Sequence, residues 1–154
     1  QGSKTQGLVC EKAGNSGGEP QGLSAGIGAI TVSALIASII DAKIFDNSRQ
    51  LAAWQGLVSK QHSSGGKAHL LGISKRGDTY LRTLLIHGAR AALRAARSKT
   101  DPLSLWLQGL CARRNPNVAA VALANKTMRL AWVLLRREED YDPLHGHARP
   151  AQPA

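Results

Sequence analysis

Aromatic side chains are scarce in this chain of 154 residues: they make up 4% of the sequence, although hydrophobic residues make up 43%. The core must therefore be built from Leu, Ala, Val and Ile, which favours packed helices over a β-sandwich. We expect an all-α fold of about five packed helices in one domain, with a Gly-rich loop.

Cysteine is also scarce. Cys10 and Cys111 are the two in the chain, and they form no CxxC pair. This argues against a disulfide framework and a zinc site and favours a reducing compartment. The N-terminal segment has no apolar signal-peptide core, and the longest apolar run, 27–40, is too short and too often interrupted to span a membrane. We expect a cytoplasmic protein with no membrane partner.

Acidic residues are almost absent from one long segment. Residues 60–137 contain 15 of the 20 Lys and Arg residues but only Asp78 and Asp101 as acids, whereas residues 138–154 are net negative. A concentrated positive block on a foldable segment is typical of a protein that binds a polyanion, so it predicts a nucleic-acid partner. A merely soluble basic surface is the alternative. No carboxylate cluster is visible, and we expect no metal site in this chain.

Composition divides the chain into three parts. Residues 1–22 are poor in large apolar residues and rich in Gly, Gln and Ser, which indicates a disordered or non-native leader. Residues 138–154 contain several prolines and are expected to be a disordered tail. Residues 23–137 form the predicted helical domain. Its helices are expected over 27–40, 49–55, 74–97, from Asp101-Pro102 onward, and over 118–137, with a loop or short hairpin over 57–72.

The long helix predicted from Ser74 to Arg97 is amphipathic. One face is apolar, with Leu81, Leu85 and Ala89 among its members. The other face is predicted to carry a row of arginines, whose planar fork suits phosphate; these are Arg76, Arg82, Arg90, Arg94 and Arg97. A solvated face is the alternative, but such a face normally mixes acids with bases.

Two glycine motifs are candidate phosphate sites. The run Gln61-His62-Ser63-Ser64-Gly65-Gly66-Lys67 places two hydroxyls against two glycines, and Lys75 and Arg76 follow shortly after. Glycine lets backbone N–H groups converge on an anion, so this loop can hold a phosphodiester beside a serine oxygen. An ordinary polar turn is the alternative. Gly26-Ile27-Gly28, before a helix, is similar to the glycine hairpin of helix-hairpin-helix modules, and a close helix contact is its alternative.

Longer motifs carry a resemblance to a known family. The stretches 49–58, 61–67, 72–78, 80–90 and 117–126 include Gln61-His62-Ser63-Ser64-Gly65-Gly66-Lys67 and Gly72-Ile73-Ser74-Lys75-Arg76-Gly77-Asp78. Together they resemble the C-terminal domain of the bridge-RNA-guided, Piv-invertase-like insertion-sequence transposases (the insertion sequence one-hundred-and-ten group). The resemblance covers residues 23–137.

The resemblance implies a function in DNA transposition. Family members join a RuvC-like domain, which holds Mg²⁺ on acidic ligands, to a helical domain whose serine attacks DNA. The serine that precedes glycine corresponds best to Ser64, with Ser63 second. A hydroxyl is a weak nucleophile and needs a base and nearby cations; Lys67, Lys75 and Arg76 are the candidate cations.

The RuvC-like domain is missing from this sequence, so we expect a truncated transposase that lacks Mg²⁺ and is inactive alone. Its expected partners are DNA, a guide RNA, and a full-length transposase or a second copy. The alternative is a non-catalytic nucleic-acid-binding module.

Overall fold

The described part of the chain is helical, apart from one hairpin. The computed structural model describes residues 27–39, 41–64 and 67–137, and for 62–64 and 67–70 it describes the backbone alone. The order is α1 (Ala29–Ser38), a 3₁₀ helix (Ala42–Ile44), α2 (Ser48–Trp54), β1 (Ser59–Ser64), β2 (Lys67–Ile73), α3 (Thr79–Ala95), a second 3₁₀ helix (Ala96–Ser98), α4 (Pro102–Arg113) and α5 (Pro116–Arg137). Five α-helices in this part confirm the predicted fold class. The predicted leader, 1–22, and tail, 138–154, lie outside it.

The last helix, α5, organises the core. It contacts α2, α3, α4 and the first 3₁₀ helix. Small residues on its inner side, such as Ala120 and Ala124, allow close approach, and Leu123 and Met128 are fully buried between the helices. Burying one such large side chain stabilises the fold by about 1.5–3 kcal/mol. The core is therefore aliphatic, as the composition predicts.

Helix α5 is also the one helix in the described part that is long and apolar enough to cross a membrane. The longest apolar run predicted from the sequence, 27–40, contains the shorter helix α1 instead. In this structure α5 packs against α2, α3 and α4. The absence of a membrane partner stays a prediction.

Polar side chains begin the helices, but the predicted start of one helix is wrong. Asp101 precedes Pro102 and caps α4 as expected, since its carboxylate accepts the backbone N–H of Ser104 at 3.0 Å. Helix α3 begins at Thr79 rather than after Ser74. Its cap is Asp78, whose Oδ1 accepts the backbone N–H of Leu81 at 2.7 Å. Residues 74–77 therefore form a connector before the helix.

The connector is held by a backbone crossing that we call the glycine crossing (Gln55, Gly56 and Gly77). Gly56 has a φ of +76°, and a Cβ there would lie 2.6 Å from the backbone N of Arg76. A Cβ on Gly77 would lie 2.5 Å from the Cα and carbonyl carbon of Gln55. No side chain fits at either glycine, because real Cβ atoms do not approach backbone so closely.

Hydrogen bonds lock the same crossing. The backbone N–H of Lys75 donates to the Gly56 carbonyl at 3.1 Å, and the side-chain amide of Gln55 donates to the Asp78 carbonyl at 2.7 Å. Gln55 is fully buried. The end of α2 thereby fixes where α3 begins.

The segment predicted as a loop or short hairpin is a hairpin. Strands β1 and β2 pair antiparallel, with Ser64 opposite Lys67 and Ser63 opposite Ala68. At its base, the N–H of Ser74 donates to the Val58 carbonyl at 2.8 Å. Between described residues the two strands contact each other and no helix. The hairpin therefore extends away from the helical body.

Candidate nucleic-acid interface

Three arginines form a continuous exposed row, the arginine ridge (Arg90, Arg94 and Arg97). The first two lie on α3 and the third on the 3₁₀ helix that continues it, and all three are exposed. Spacings of four and three residues place them on one side of the helix. The Nη2 of Arg90 donates to the Oδ1 of Asn117 at 3.1 Å, which orients this guanidinium.

Arg82 and Arg76, two other arginines of the predicted row, are placed differently. Arg82 is buried, with 8% of its surface exposed. Its Nη1 donates to the Gly77 carbonyl at 2.9 Å and its Nη2 to the Thr79 hydroxyl at 3.2 Å. The prediction that it faces outward is wrong, because it lies beside the apolar stripe and tethers the connector. Arg76 is exposed but precedes the helix.

The only two carboxylates within residues 60–137 serve as helix caps. Asp78 holds the start of α3, and Asp101 accepts both the N–H and the hydroxyl of Ser104, the latter at 2.6 Å. The Ser104 hydroxyl lowers the pKa of Asp101, helped by backbone N–H groups and by Lys99 and opposed by desolvation. Both carboxylates accept hydrogen bonds at helix starts, and among the described residues neither pairs with a guanidinium of the arginine ridge.

The connector places two more predicted cations at the surface. Lys75 and Arg76 are both exposed, and Lys75 has a φ of 57°, in the left-handed region. A non-glycine residue adopts this conformation only when its surroundings enforce it. Here the glycine crossing does so, and it leaves both cations at the base of the hairpin.

The candidate serines lie at the far end of that hairpin. Ser63 and Ser64 end β1, five residues from Ser59, so Ser64 is about 17 Å along the strand from the base. Lys67 begins β2, and Gly65 and Gly66 lie outside the described residues. The described strands do not contact α3. The described residues therefore do not join the serines and the arginine ridge into one compact site.

The second glycine motif is described in part. Gly28 precedes α1, and its carbonyl accepts the N–H of Val32 at 3.1 Å. It is exposed, and a Cβ there would meet nothing within 4 Å. A close helix contact at Gly28 is therefore not seen. Gly26 lies outside the described residues, and a role of this motif in binding phosphate stays a prediction.

The described residues do not fit a divalent metal ion. Among them, no three His, Cys, Asp or Glu side chains come together. Mg²⁺ prefers several oxygen ligands, whereas Asp41, Asp78 and Asp101 cap three different helices.

Comparison with known proteins identifies the family. A sequence profile described as "Transposase IS116/IS110/IS902 family" matches residues 24–102. The chain belongs to this transposase family. The matched segment includes the hairpin, the connector and the arginine ridge, so the resemblance seen in the sequence is confirmed.

Individual transposases are similar over most of this chain. It is 62% identical over 118 residues to a "Probable family 20 transposase" of Pseudomonas aeruginosa, a match that covers 77% of this chain and 35% of the relative. It is 57% identical over 116 residues to the "Transposase for insertion sequence element IS1111A" of Coxiella burnetii, covering 75% and 32%. It is 46% identical over 109 residues to the "Transposase for insertion sequence element IS1328" of Yersinia enterocolitica, a match that covers 71% of this chain and 33% of the relative. The chain spans about a third of the length of these relatives.

Proposed function

We propose that this chain is the nucleic-acid-binding C-terminal part of an insertion-sequence transposase and that the arginine ridge grips the sugar–phosphate backbone. One observation carries the proposal: three guanidinium groups stand exposed in one row, in a segment whose two carboxylates are committed to helix caps. Arginine matches phosphate through two parallel N–H donors. Membership in a transposase family supports DNA as the partner.

The size of the ridge suits a nucleic-acid strand. From Arg90 to Arg97 the helix axis rises about 10 Å. One strand of duplex DNA carries a phosphate about every 3.4 Å of axis, so the ridge spans about three phosphate steps. Lys75 and Arg76 add a second basic contact nearer the hairpin.

The proposed chemical role belongs to Ser64, with Ser63 as the second candidate. In the proposed step the serine oxygen forms a bond to phosphorus while the bond from phosphorus to a deoxyribose oxygen breaks. The hydroxyl proton goes to a base, and the departing oxygen receives a proton. Ser64 is paired with Lys67 across the hairpin, and Ser63 is its neighbour on the same strand, which supports this role.

The base and any Mg²⁺ are proposed to come from a RuvC-like domain in a full-length transposase. A second copy and a guide RNA are further proposed partners. In this scheme the present chain binds and positions nucleic acid, and the serine reacts only in the assembled complex.

Salt-dependent binding tests the ridge. The double variant Arg94→Gln/Arg97→Gln is compared with Lys43→Gln/Arg49→Gln, which removes two exposed charges outside the basic block. Affinity for a short DNA duplex is measured by fluorescence anisotropy over a range of salt. Loss of two phosphate contacts lowers the slope of log affinity against log salt by about 1.8. The control keeps the wild-type slope, and equal slopes in both variants contradict the ridge.

Adduct formation tests the serine. The chain is incubated with DNA that carries an activated phosphate, with and without a full-length transposase of the family, and a covalent protein–DNA product is sought by denaturing electrophoresis. We expect the product only with the full-length protein, and its loss in Ser64→Ala. If Ser63→Ala abolishes it and Ser64→Ala does not, the nucleophile is Ser63. Absence of any adduct, with the ridge result intact, indicates a non-catalytic binding module.

A further inference from the structure

A groove between α4, α5 and the start of α2 has no counterpart in the sequence predictions. It has a volume of about 450 Å³, within the range of small-molecule sites. Its lining includes two cations, Lys126 and Arg129, and one tryptophan, Trp106, but no carboxylate. Ser48 of α2 and Asn125 of α5 also line it. None of them belongs to the arginine ridge. The groove is a separate basic surface with an aromatic wall.

Trp106 and Lys126 form the distinctive pair of the groove. The ammonium of Lys126 lies 4.7 Å from the centroid of the Trp106 ring, a cation–π contact. Trp106 is a large hydrophobic side chain, yet 36% of its surface is exposed. An exposed indole beside cations is the combination that proteins use to hold single strands, where bases stack and phosphates pair with charge.

The lining that α5 contributes to the groove suits a flat ring with polar edges. Ala122, Leu130 and Val133 supply apolar surface. The amide nitrogen of Asn125 donates to the Leu57 carbonyl at 3.2 Å, so this side chain is held in place. Its amide oxygen remains as an acceptor for an exocyclic amine of a base.

We propose that this groove binds one unpaired nucleotide of a single strand, with its base on Trp106 and its phosphate on Lys126 and Arg129. Base stacking on an aromatic side chain is worth about five- to 150-fold in affinity, and an exposed cation–π contact about two- to fivefold. Replacing the contact between Lys126 and the Trp106 ring by a stacked base is therefore a net gain in affinity. The displaced ammonium can then pair with the phosphate. A duplex gains none of this, since its base faces are already stacked.

The test compares Trp106→Ala with Leu105→Ala, which removes the exposed neighbour outside the groove. Affinities are measured for a short oligothymidylate, a short oligouridylate and a DNA duplex of the same length. Trp106→Ala is expected to weaken single-strand binding about tenfold or more and duplex binding less than twofold. Trp106→Phe keeps most of the single-strand affinity. Leu105→Ala changes neither. The two single strands distinguish an RNA source from a DNA source.

A second variant avoids any change in the core. Ser48 is the first residue of α2 and is half-buried. A glutamate is compatible with a first helical turn and brings a negative charge to the groove. Ser48→Glu is expected to weaken single-strand binding severalfold, whereas Ser48→Gln does not.

Three outcomes overturn the proposal. One is unchanged single-strand affinity in Trp106→Ala and Ser48→Glu. Another is an equal loss on duplex and single strand in Trp106→Ala. The third is a Trp106→Ala variant that binds nucleic acid normally but no longer binds a full-length transposase in a pull-down. That result assigns the groove to a protein partner. Because the arginine ridge is tested on duplex DNA with other residues, failure of one site leaves the other result readable.

Discussion

Helix α3 carries the same side chain in two opposite settings. At its first turn, Arg82 is buried and donates hydrogen bonds to the Gly77 carbonyl and the Thr79 hydroxyl. About three turns later, Arg94 is exposed, and it lies between the exposed Arg90 and Arg97. A row of arginines in the sequence therefore contains two roles, one that holds the fold and one that faces a partner.

The difference arises from what covers each end of the helix. The glycine crossing holds the connector against the residues that follow α2, and Arg82 at the start of α3 bonds to that connector. A guanidinium that loses water there must be paired within the protein. The outer side of the later turns has no such cover. Burial by a neighbouring element, rather than residue type, decides which arginines can reach nucleic acid.

The largest expected loss of stability comes from a substitution in the glycine crossing, next to the start of α3. In Gly77→Ala the new Cβ would lie 2.5 Å from the Gln55 backbone and the Trp54 carbonyl oxygen. Backbone cannot yield as a side chain does, so the free energy of unfolding falls by about 3 kcal/mol or more, at the upper end of overpacking costs. Chemical denaturation followed by circular dichroism measures it.

Gly109→Ala is the matched control for that substitution. Gly109 lies inside α4, and a Cβ there would meet nothing within 4 Å. Its replacement stabilises the chain by about 0.5–1 kcal/mol, through helix propensity alone. A small effect of Gly77→Ala, similar to that of Gly109→Ala, would show that the crossing does not hold the start of α3.

The helical body could be read from the sequence because its determinants are local. The Asp101-Pro102 step, the apolar period of α3 and the aliphatic composition each depend on neighbours within a few residues. The start of α3 could not be predicted from the sequence, because Ser74 and Asp78 are both residue types that cap helices well. The choice between them is made by a contact with Gly56, a residue distant in sequence.

The candidate sites show the same limit. The arginine ridge follows from helical spacing, and Arg90, Arg94 and Arg97 lie where that spacing places them. Arg82 sits at the border of the apolar stripe, where spacing alone does not separate buried from exposed. The groove at Trp106 and Lys126 exists only because α4 packs beside α5, and no local pattern signals it.

A smaller effect is expected when arginine is replaced by methionine at each end of α3 and the stabilities of the two variants are compared. Arg82→Met removes the guanidinium that bonds to the Gly77 carbonyl and leaves that half-buried acceptor without its donor, at a cost of about 1–3 kcal/mol in unfolding free energy. Arg94→Met, at an exposed helix position, changes stability by less than about 0.5 kcal/mol.

Duplex affinity is expected to respond in the reverse order. Arg94→Met loses a phosphate contact and lowers the salt slope by about 0.9, while folded Arg82→Met keeps the wild-type slope. Denaturation and anisotropy on the same two proteins measure both quantities. If Arg82→Met lowers the slope as much as Arg94→Met does, the buried guanidinium reaches the nucleic acid after all, and the two ends of α3 share one role.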